Sequence, residues 1–234
     1  MTPIFALPTV AFFGRSLAEY QKFFALDMAK LRNKAVLDVG AGPASFAAEA
    51  EQAWVNVVAL DPLYTQTPAA LAAQVQRDYD RMFAGMRDPA NADRFQFKSF
   101  ASIDEAEQDR RRAAEVFLAD YARYRERDRY REASLPHLPV ADRSFDLVLC
   151  AHLFFLHDDV FDYAFHLTGC RELMRVARDE VRIHPTCGAD GQPHPHLPRL
   201  IEDLAAEGIT AEVVSVDYEF FAGAHSMLVL KRAE

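Results

Sequence analysis

A short apolar run ends in an acid and two glycines at Ala35-Val36-Leu37-Asp38-Val39-Gly40-Ala41-Gly42-Pro43. An alanine-rich segment follows over residues 44–53. This pattern predicts a buried strand, a tight turn and the start of a helix. Glycine suits the turn because the backbone bends sharply there and a ligand can approach it closely.

A second buried strand, over residues 57–61, also ends in an acid, Asp61. An acid at this point suits a ribose, because both ribose hydroxyls can donate to one carboxylate. In an open α/β sheet the ligand lies at the carboxyl ends of the strands. The two stretches together indicate a site for a nucleotide-like ligand.

The glycine turn departs from the dinucleotide-binding fingerprint, which has a third glycine where this chain has Ser45. Pro43 also stands beside the second glycine. The carboxylate of Asp38 would repel a pyrophosphate and attract a ligand that carries an ammonium group. Asp38 and Ser45 therefore argue against a nicotinamide-dependent oxidoreductase, which stays a second alternative.

The order Asp-x-Gly-x-Gly resembles the first motif of class I S-adenosylmethionine (SAM)-dependent methyltransferases, and Asp61 resembles their ribose acid. The run Leu-Pro-His-Leu-Pro, followed by Ser-Phe-Asp-Leu-Val, is similar to a segment common in small-molecule methyltransferases. Further stretches, among them Gly-Arg-Ser-x-x-Glu-Tyr near the start and Val-Asp-Tyr-Glu-Phe near the end, resemble a group of bacterial methyltransferase-like proteins. The resemblance to this group does not indicate a substrate.

The resemblance implies an α/β chain with the Rossmann-like methyltransferase fold. We expect a mostly parallel seven-stranded sheet with an antiparallel last strand and a helical insertion after strand two. About seventy residues separate Asp61 from the next strand-like run, whereas a crossover needs only about a dozen or more. We therefore expect a single domain over residues 1–234, with 1–33 as an N-terminal helical cap and 62–133 as a helical lid.

The same resemblance implies SAM as cofactor, with S-adenosylhomocysteine (SAH) as product, and a small molecule as methyl acceptor. The cofactor-binding residues that we expect are Asp38, Gly40, Gly42, Asp61, Pro62, Ser134, Leu135 and Cys150. Ser134 stands where the family usually has an acid for the adenine amine, and its neutral hydroxyl makes a weaker bond. His152 follows the fourth strand, where acceptors dock in that family, and its unperturbed pKa suits a catalytic base.

A catalytically silent SAM- or SAH-binding protein, acting as a sensor or a partner subunit, is the first alternative. Arg178-Asp179-Glu180 stands where relatives often have Pro-Gly-Gly. That difference, together with the serine at the adenine position, leaves enzymatic activity open at this point.

Composition limits the partners and the cellular location that we expect. Half of the 234 residues are hydrophobic, so a sizeable core can form, and the formal net charge is −9. That charge disfavours binding of nucleic acid or of an anionic membrane by the whole surface. Three cysteines without a close pair, and no evident signal peptide, favour a reduced, cytoplasmic location. We expect no nucleic-acid partner and no membrane span, and we regard a homodimer as possible.

A loop rich in proline and glycine contains zinc-type side chains, namely His184, Cys187, His194 and His196. Their spacing does not match a structural zinc motif. We therefore expect an ordinary loop and no metal.

Overall fold

The computed structural model describes residues 10–157 and 159–233. The first nine residues of the expected cap thus lie outside the described part. The helices are α1 Leu17–Phe23, α2 Phe46–Ala50, α3 Pro68–Arg87, α4 Ile103–Tyr124, α5 Tyr163–Val176 and α6 Leu197–Ala205. The strands are β1 Ala35–Val39, β2 Asn56–Leu60, β3 Tyr130–Arg131, β4 Phe145–Ala151, β5 Ala177–His184, β6 Ile209–Ser215 and β7 Ser226–Arg232.

The strands form one seven-stranded sheet in the order β3-β2-β1-β4-β5-β7-β6. The first five strands pair in parallel, and β7 runs antiparallel to both β5 and β6. This order and these directions confirm the predicted fold class, an α/β chain with the Rossmann-like methyltransferase sheet. The central strands β1 and β4 are almost wholly buried, as expected for parallel strands that are covered on both faces.

Within the described residues 10–33, the α-helix α1 covers seven residues. Ser16 caps the helix by accepting from the backbone N–H of Glu19. Residues 10–16 are not helical, and two of their backbone N–H groups bond to side chains of α3. Phe12 donates to Asp78 over 2.8 Å, and Gly14 donates to the Tyr79 hydroxyl over 3.2 Å.

The segment 62–133 carries α3 and α4, which pack against each other. Its buried side chains join one core cluster with the N-terminal segment, through Leu71, Val75, Met82 and Phe117. Its charged face is salt-bridged, for example between Arg87 of α3 and Glu107 of α4. The insertion is therefore built into the core, and its arginines are paired largely within it. Within the described residues, no helix combines the length and apolarity that crossing a membrane requires.

Candidate functional site

A cavity of about 260 Å³ opens at the carboxyl ends of β1, β2 and β4. We call it the glycine-turn cavity. Six of the eight expected cofactor-binding residues line it, namely Gly40, Gly42, Asp61, Pro62, Ser134 and Leu135. The sheet thus brings together residues that are far apart in the chain, at the edge where ligands of such sheets bind.

Both glycines of the turn have a left-handed backbone, with φ of +68° at Gly40 and +56° at Gly42. A side chain at Gly40 would also meet the Cδ2 atom of Leu153 at 3.1 Å. The turn is held in place by the Tyr64 hydroxyl, which donates to the carbonyl of Gly42 over 2.6 Å. Because Gly40 and Gly42 have no side chains, the backbone of the turn is accessible from the cavity. An adenosyl ligand that passes close to the backbone needs this space.

Asp61 is 7% exposed and is oriented by two backbone donors. Its carboxylate accepts from the N–H groups of Gly42, over 3.0 Å, and of Leu63, over 2.9 Å. Burial raises the pKa of Asp61 to about 6, although these two hydrogen bonds oppose the shift. Each carboxylate oxygen can accept a second hydrogen bond. The residue therefore fits two ribose hydroxyls, which would also favour its charged form.

Asp38 and Cys150, the other two expected residues, do not line the cavity. Asp38 is 1% exposed and accepts from the Tyr20 hydroxyl over 2.9 Å, whereas its Oδ1 atom has no hydrogen-bond partner. Burial raises the pKa of Asp38 to about 7. Cys150 is fully buried within the second core cluster, on the face of β4 that also carries Val148. Neither side chain touches the cavity in this state.

The roof of the glycine-turn cavity comes from a segment that no motif marked, residues 10–13. Behind it, Gly14 passes so close to the turn that an added Cβ would lie 2.2 Å from the carbonyl of Pro43. The backbone N–H of Ser45 donates to the carbonyl of Arg15 over 3.2 Å. The N-terminal segment therefore lies directly on the glycine turn, between it and α3.

A second, smaller cavity of about 120 Å³ adjoins the first. We call it the aromatic cavity. Its apolar lining comes from the N-terminal segment, the insertion and the β6–β7 connection, through Phe13, Met82, Met86, Phe95, Phe220 and Phe221. Its polar lining includes Arg15, Arg110, His152 and Tyr218. The helices of the insertion thus line this cavity, whereas at the glycine-turn cavity the segment contributes only its first residues and its end.

His152 lines both cavities, as do Ala11 and Phe13. It follows β4 with a left-handed backbone, φ +55°, and its N–H donates to the carbonyl of His184 over 2.6 Å. Its Nδ1 atom is buried without a hydrogen-bond partner. Burial, and then the charge of Arg15, hold the pKa of His152 well below the usual value. The imidazole is therefore neutral at physiological pH and stands at the junction of the two cavities.

The zinc-type side chains of the 184–196 loop separate in the fold. His184 stacks on Phe23, with ring centroids 4.7 Å apart, and lies away from the others. His194 and His196 group with His166, each with a ring nitrogen within 4.8 Å of the others. Backbone N–H groups donate to His166 Nε2 and to His194 Nδ1. Two of the lone pairs that a metal would need are therefore already used.

No family model matches the chain. It is 29% identical over 219 residues to the uncharacterized protein MJ0045 of Methanocaldococcus jannaschii, an alignment that covers 94% of this chain and 95% of the other. Among solved structures, the PH0226 protein of Pyrococcus horikoshii has a TM-score of 0.50 at 16% identity, over 93% of this chain and 90% of that chain. A TehB-like SAM-dependent methyltransferase of Corynebacterium glutamicum has a TM-score of 0.47 at 13% identity, over 88% and 87%. At these identities the likeness concerns the fold.

Proposed function

We propose that the protein transfers a methyl group from SAM to a small-molecule acceptor. One observation carries this proposal: the two cavities meet at His152. The larger cavity has the glycine turn and the ribose-type acid, and the smaller one is lined mainly by rings and apolar side chains. Methyl transfer needs two ligands held with their reacting atoms in contact, and two adjoining cavities provide that arrangement.

The cofactor would occupy the glycine-turn cavity. The bare backbone at Gly40 and Gly42, and the oriented carboxylate of Asp61, fit its adenosyl part. When bound, SAM supplies an electrophilic methyl group on a sulfonium centre. The protein then has to align the acceptor and exclude water, which needs little covalent chemistry from side chains.

The acceptor would occupy the aromatic cavity. Its volume of about 120 Å³ and its walls from three parts of the chain suit a small molecule. A folded macromolecule could not enter such a space. This supports the expectation of a small acceptor, and it assigns the insertion a part in acceptor binding through Met82, Met86 and Arg110.

His152 is the residue placed to accept a proton, or a hydrogen bond, from the acceptor. Its neutral form is the one that can do so. Its lowered pKa also makes it a weaker base than an ordinary histidine. That weakness favours the second candidate, a SAM- or SAH-binding protein without catalysis, if the true acceptor needs deprotonation.

A labelled-methyl assay separates the two candidates. The protein is incubated with SAM carrying a radioactive methyl group and a deproteinised small-molecule extract, and SAH formation and label transfer are followed. Methyl transfer predicts SAH formation that depends on the extract and is lost in Asp61→Ala. Tight SAM binding without SAH formation from any extract would favour the silent binder.

A further inference from the structure

Two buried arginines line the aromatic cavity, Arg15 and Arg110, which are 9% and 1% exposed. The Arg15 guanidinium lies 4.7 Å from the ring centre of Phe13, and the Arg110 guanidinium lies 4.6 Å from that of Phe220. No acidic side chain lines this cavity among the described residues. The cavity therefore combines aromatic walls with positive charge.

One carboxylate, that of Glu19, stands behind these two cations. Arg110 donates to it through Nε over 3.1 Å and through Nη2 over 2.8 Å, and the Tyr218 hydroxyl donates over 2.6 Å. The Nε atom of Arg15 lies 3.9 Å from the same carboxylate, which is too far for a hydrogen bond. Burial alone would raise the pKa of Glu19, but the charge and hydrogen bonds of Arg110 lower it, so Glu19 is ionised. The cluster thus has two positive charges and one negative charge.

Each arginine also retains an unused donor. Arg15 Nε and Arg110 Nη1 are buried and have no hydrogen-bond acceptor. Arg15 donates hydrogen bonds through Nη1 to the carbonyls of Phe13 and Gly14. Burial, followed by the charge of Arg110, lowers the pKa of Arg15. A buried cation with unused donors is costly to the fold unless an anion pairs with it.

We propose that the methyl acceptor is a small aromatic acid, a molecule with about one ring and one carboxylate, which Arg15 and Arg110 recognise in the aromatic cavity. The inference rests on the proposed function. A surplus of one positive charge matches a monoanion. The ring walls match a planar apolar body. The cavity of about 120 Å³ is smaller than the roughly 150 Å³ that holds benzene, so it limits the acceptor to about one ring, with any remainder extending past His152 toward the glycine-turn cavity. Guanidinium groups suit carboxylates because their donors form a planar fork.

The test uses benzoate and benzamide, which have nearly the same shape and differ in charge. Each is titrated calorimetrically into the protein, with and without SAH. We expect benzoate to bind at least about tenfold more tightly than benzamide, because a hydrogen bond to a charged group is worth about one decade or more. Equal affinities, or no binding of benzoate, would overturn the proposal.

Three variants test whether the preference for benzoate depends on Arg15. Arg15→Met keeps the apolar stem and removes the charge, so it should abolish the preference for benzoate. Arg15→Lys keeps the charge and should retain part of the preference. Arg112→Gln, at an exposed position of the same helix as Arg110, should leave it unchanged. A preference that survives in Arg15→Met, or is lost in Arg112→Gln, contradicts the assignment.

The SAH titration keeps the two proposals apart. If SAH does not bind, the proposed function fails, whatever benzoate does. If SAH binds and benzoate shows no preference over benzamide, only the acceptor class fails. Circular dichroism melts of each variant show whether a lost preference reflects unfolding.

Discussion

The two cavities differ in how the chain builds them. The glycine-turn cavity is formed largely by strand ends and their turns, and its key acid is oriented by backbone N–H groups of Gly42 and Leu63. The aromatic cavity is formed by side chains from the N-terminal segment, the insertion and the β6–β7 connection. A ligand common to many sheets of this kind can be bound by the first construction. Under the proposed function, the second construction would set the specificity for the methyl acceptor.

The N-terminal segment is shared by both cavities, so disturbing it should have the largest effect. In Gly14→Ala the new methyl group would overlap the backbone of Pro43, with no flexible side chain to yield. We expect the free energy of unfolding to fall by about 3 kcal/mol or more, and SAH binding to be lost. Denaturant unfolding and calorimetry measure both.

Gly208→Ala is the matched control for that variant. Gly208 has a left-handed backbone, φ +75°, and no atom lies within 4 Å of the added group, so a methyl group there meets backbone strain but no overlap. Its cost should be about 1–2 kcal/mol, with unchanged SAH affinity. An equal loss of SAH binding in both variants would show that overlap with the glycine turn is not the cause.

Asp61→Ala should weaken binding in the glycine-turn cavity and leave binding in the aromatic cavity unchanged. Each charged hydrogen bond lost to a ribose hydroxyl should weaken SAH binding by about 1.5–3 kcal/mol. Benzoate binding should persist, because Asp61 does not line the aromatic cavity. Asp179→Ala, at an exposed position near the opposite end of the sheet, is the control. Unchanged SAH affinity in Asp61→Ala would place the ribose elsewhere.

His152→Gln tests whether the side chain between the two cavities acts as a base. A positioned base contributes about 10²-fold or more to a rate, and the lowered pKa of His152 places the expected loss near the lower end of that range. SAH affinity should change little, because the cofactor is held mainly by the turn and Asp61. Extract-dependent SAH formation measures the rate. An unchanged rate would assign His152 to shaping the cavities only.

The smallest expected effect is the change of SAH affinity with pH, which depends on the glycine-turn cavity. Burial raises the pKa of Asp61 to about 6 in the free protein. Ribose hydroxyls would donate to the charged form, so the affinity should be full above this pKa and fall as pH decreases through it. Between pH 6 and pH 5 we expect a fall of up to about tenfold in SAH affinity. Asp61→Asn should flatten that part of the profile, and a profile that stays unchanged in the variant would assign the titration to another group, such as Asp38.

Sequence alone predicted the fold, and six of the eight residues that it singled out line one cavity. The strand over 35–39 and the acid after the second strand were recognisable, because apolar runs, glycines and acids lie next to each other in the chain. Side-chain direction was harder to predict. Asp38 and Cys150 are near the right strand ends, but alternation along the strands directs their side chains away from the cavity.

The aromatic cavity could not be predicted in the same way. Arg110 lies 91 positions from Glu19, and Tyr218 lies 199 positions from it. No local pattern specifies which of the four arginines of α4 becomes buried. The stretch Gly14-Arg15-Ser16-x-x-Glu19-Tyr20 carried the available signal. Its glycine packs on the turn, and its arginine and glutamate belong to the buried cluster.

The most direct test of SAM as the cofactor is calorimetric titration of the protein with SAH and, in parallel, with NADH. We expect SAH to bind with a stoichiometry of one and to raise the melting temperature, because a ligand bound only by the folded state stabilises it. NADH should neither bind nor shift the melting temperature. Binding of NADH without binding of SAH would show that the glycine-turn cavity is not a SAM site.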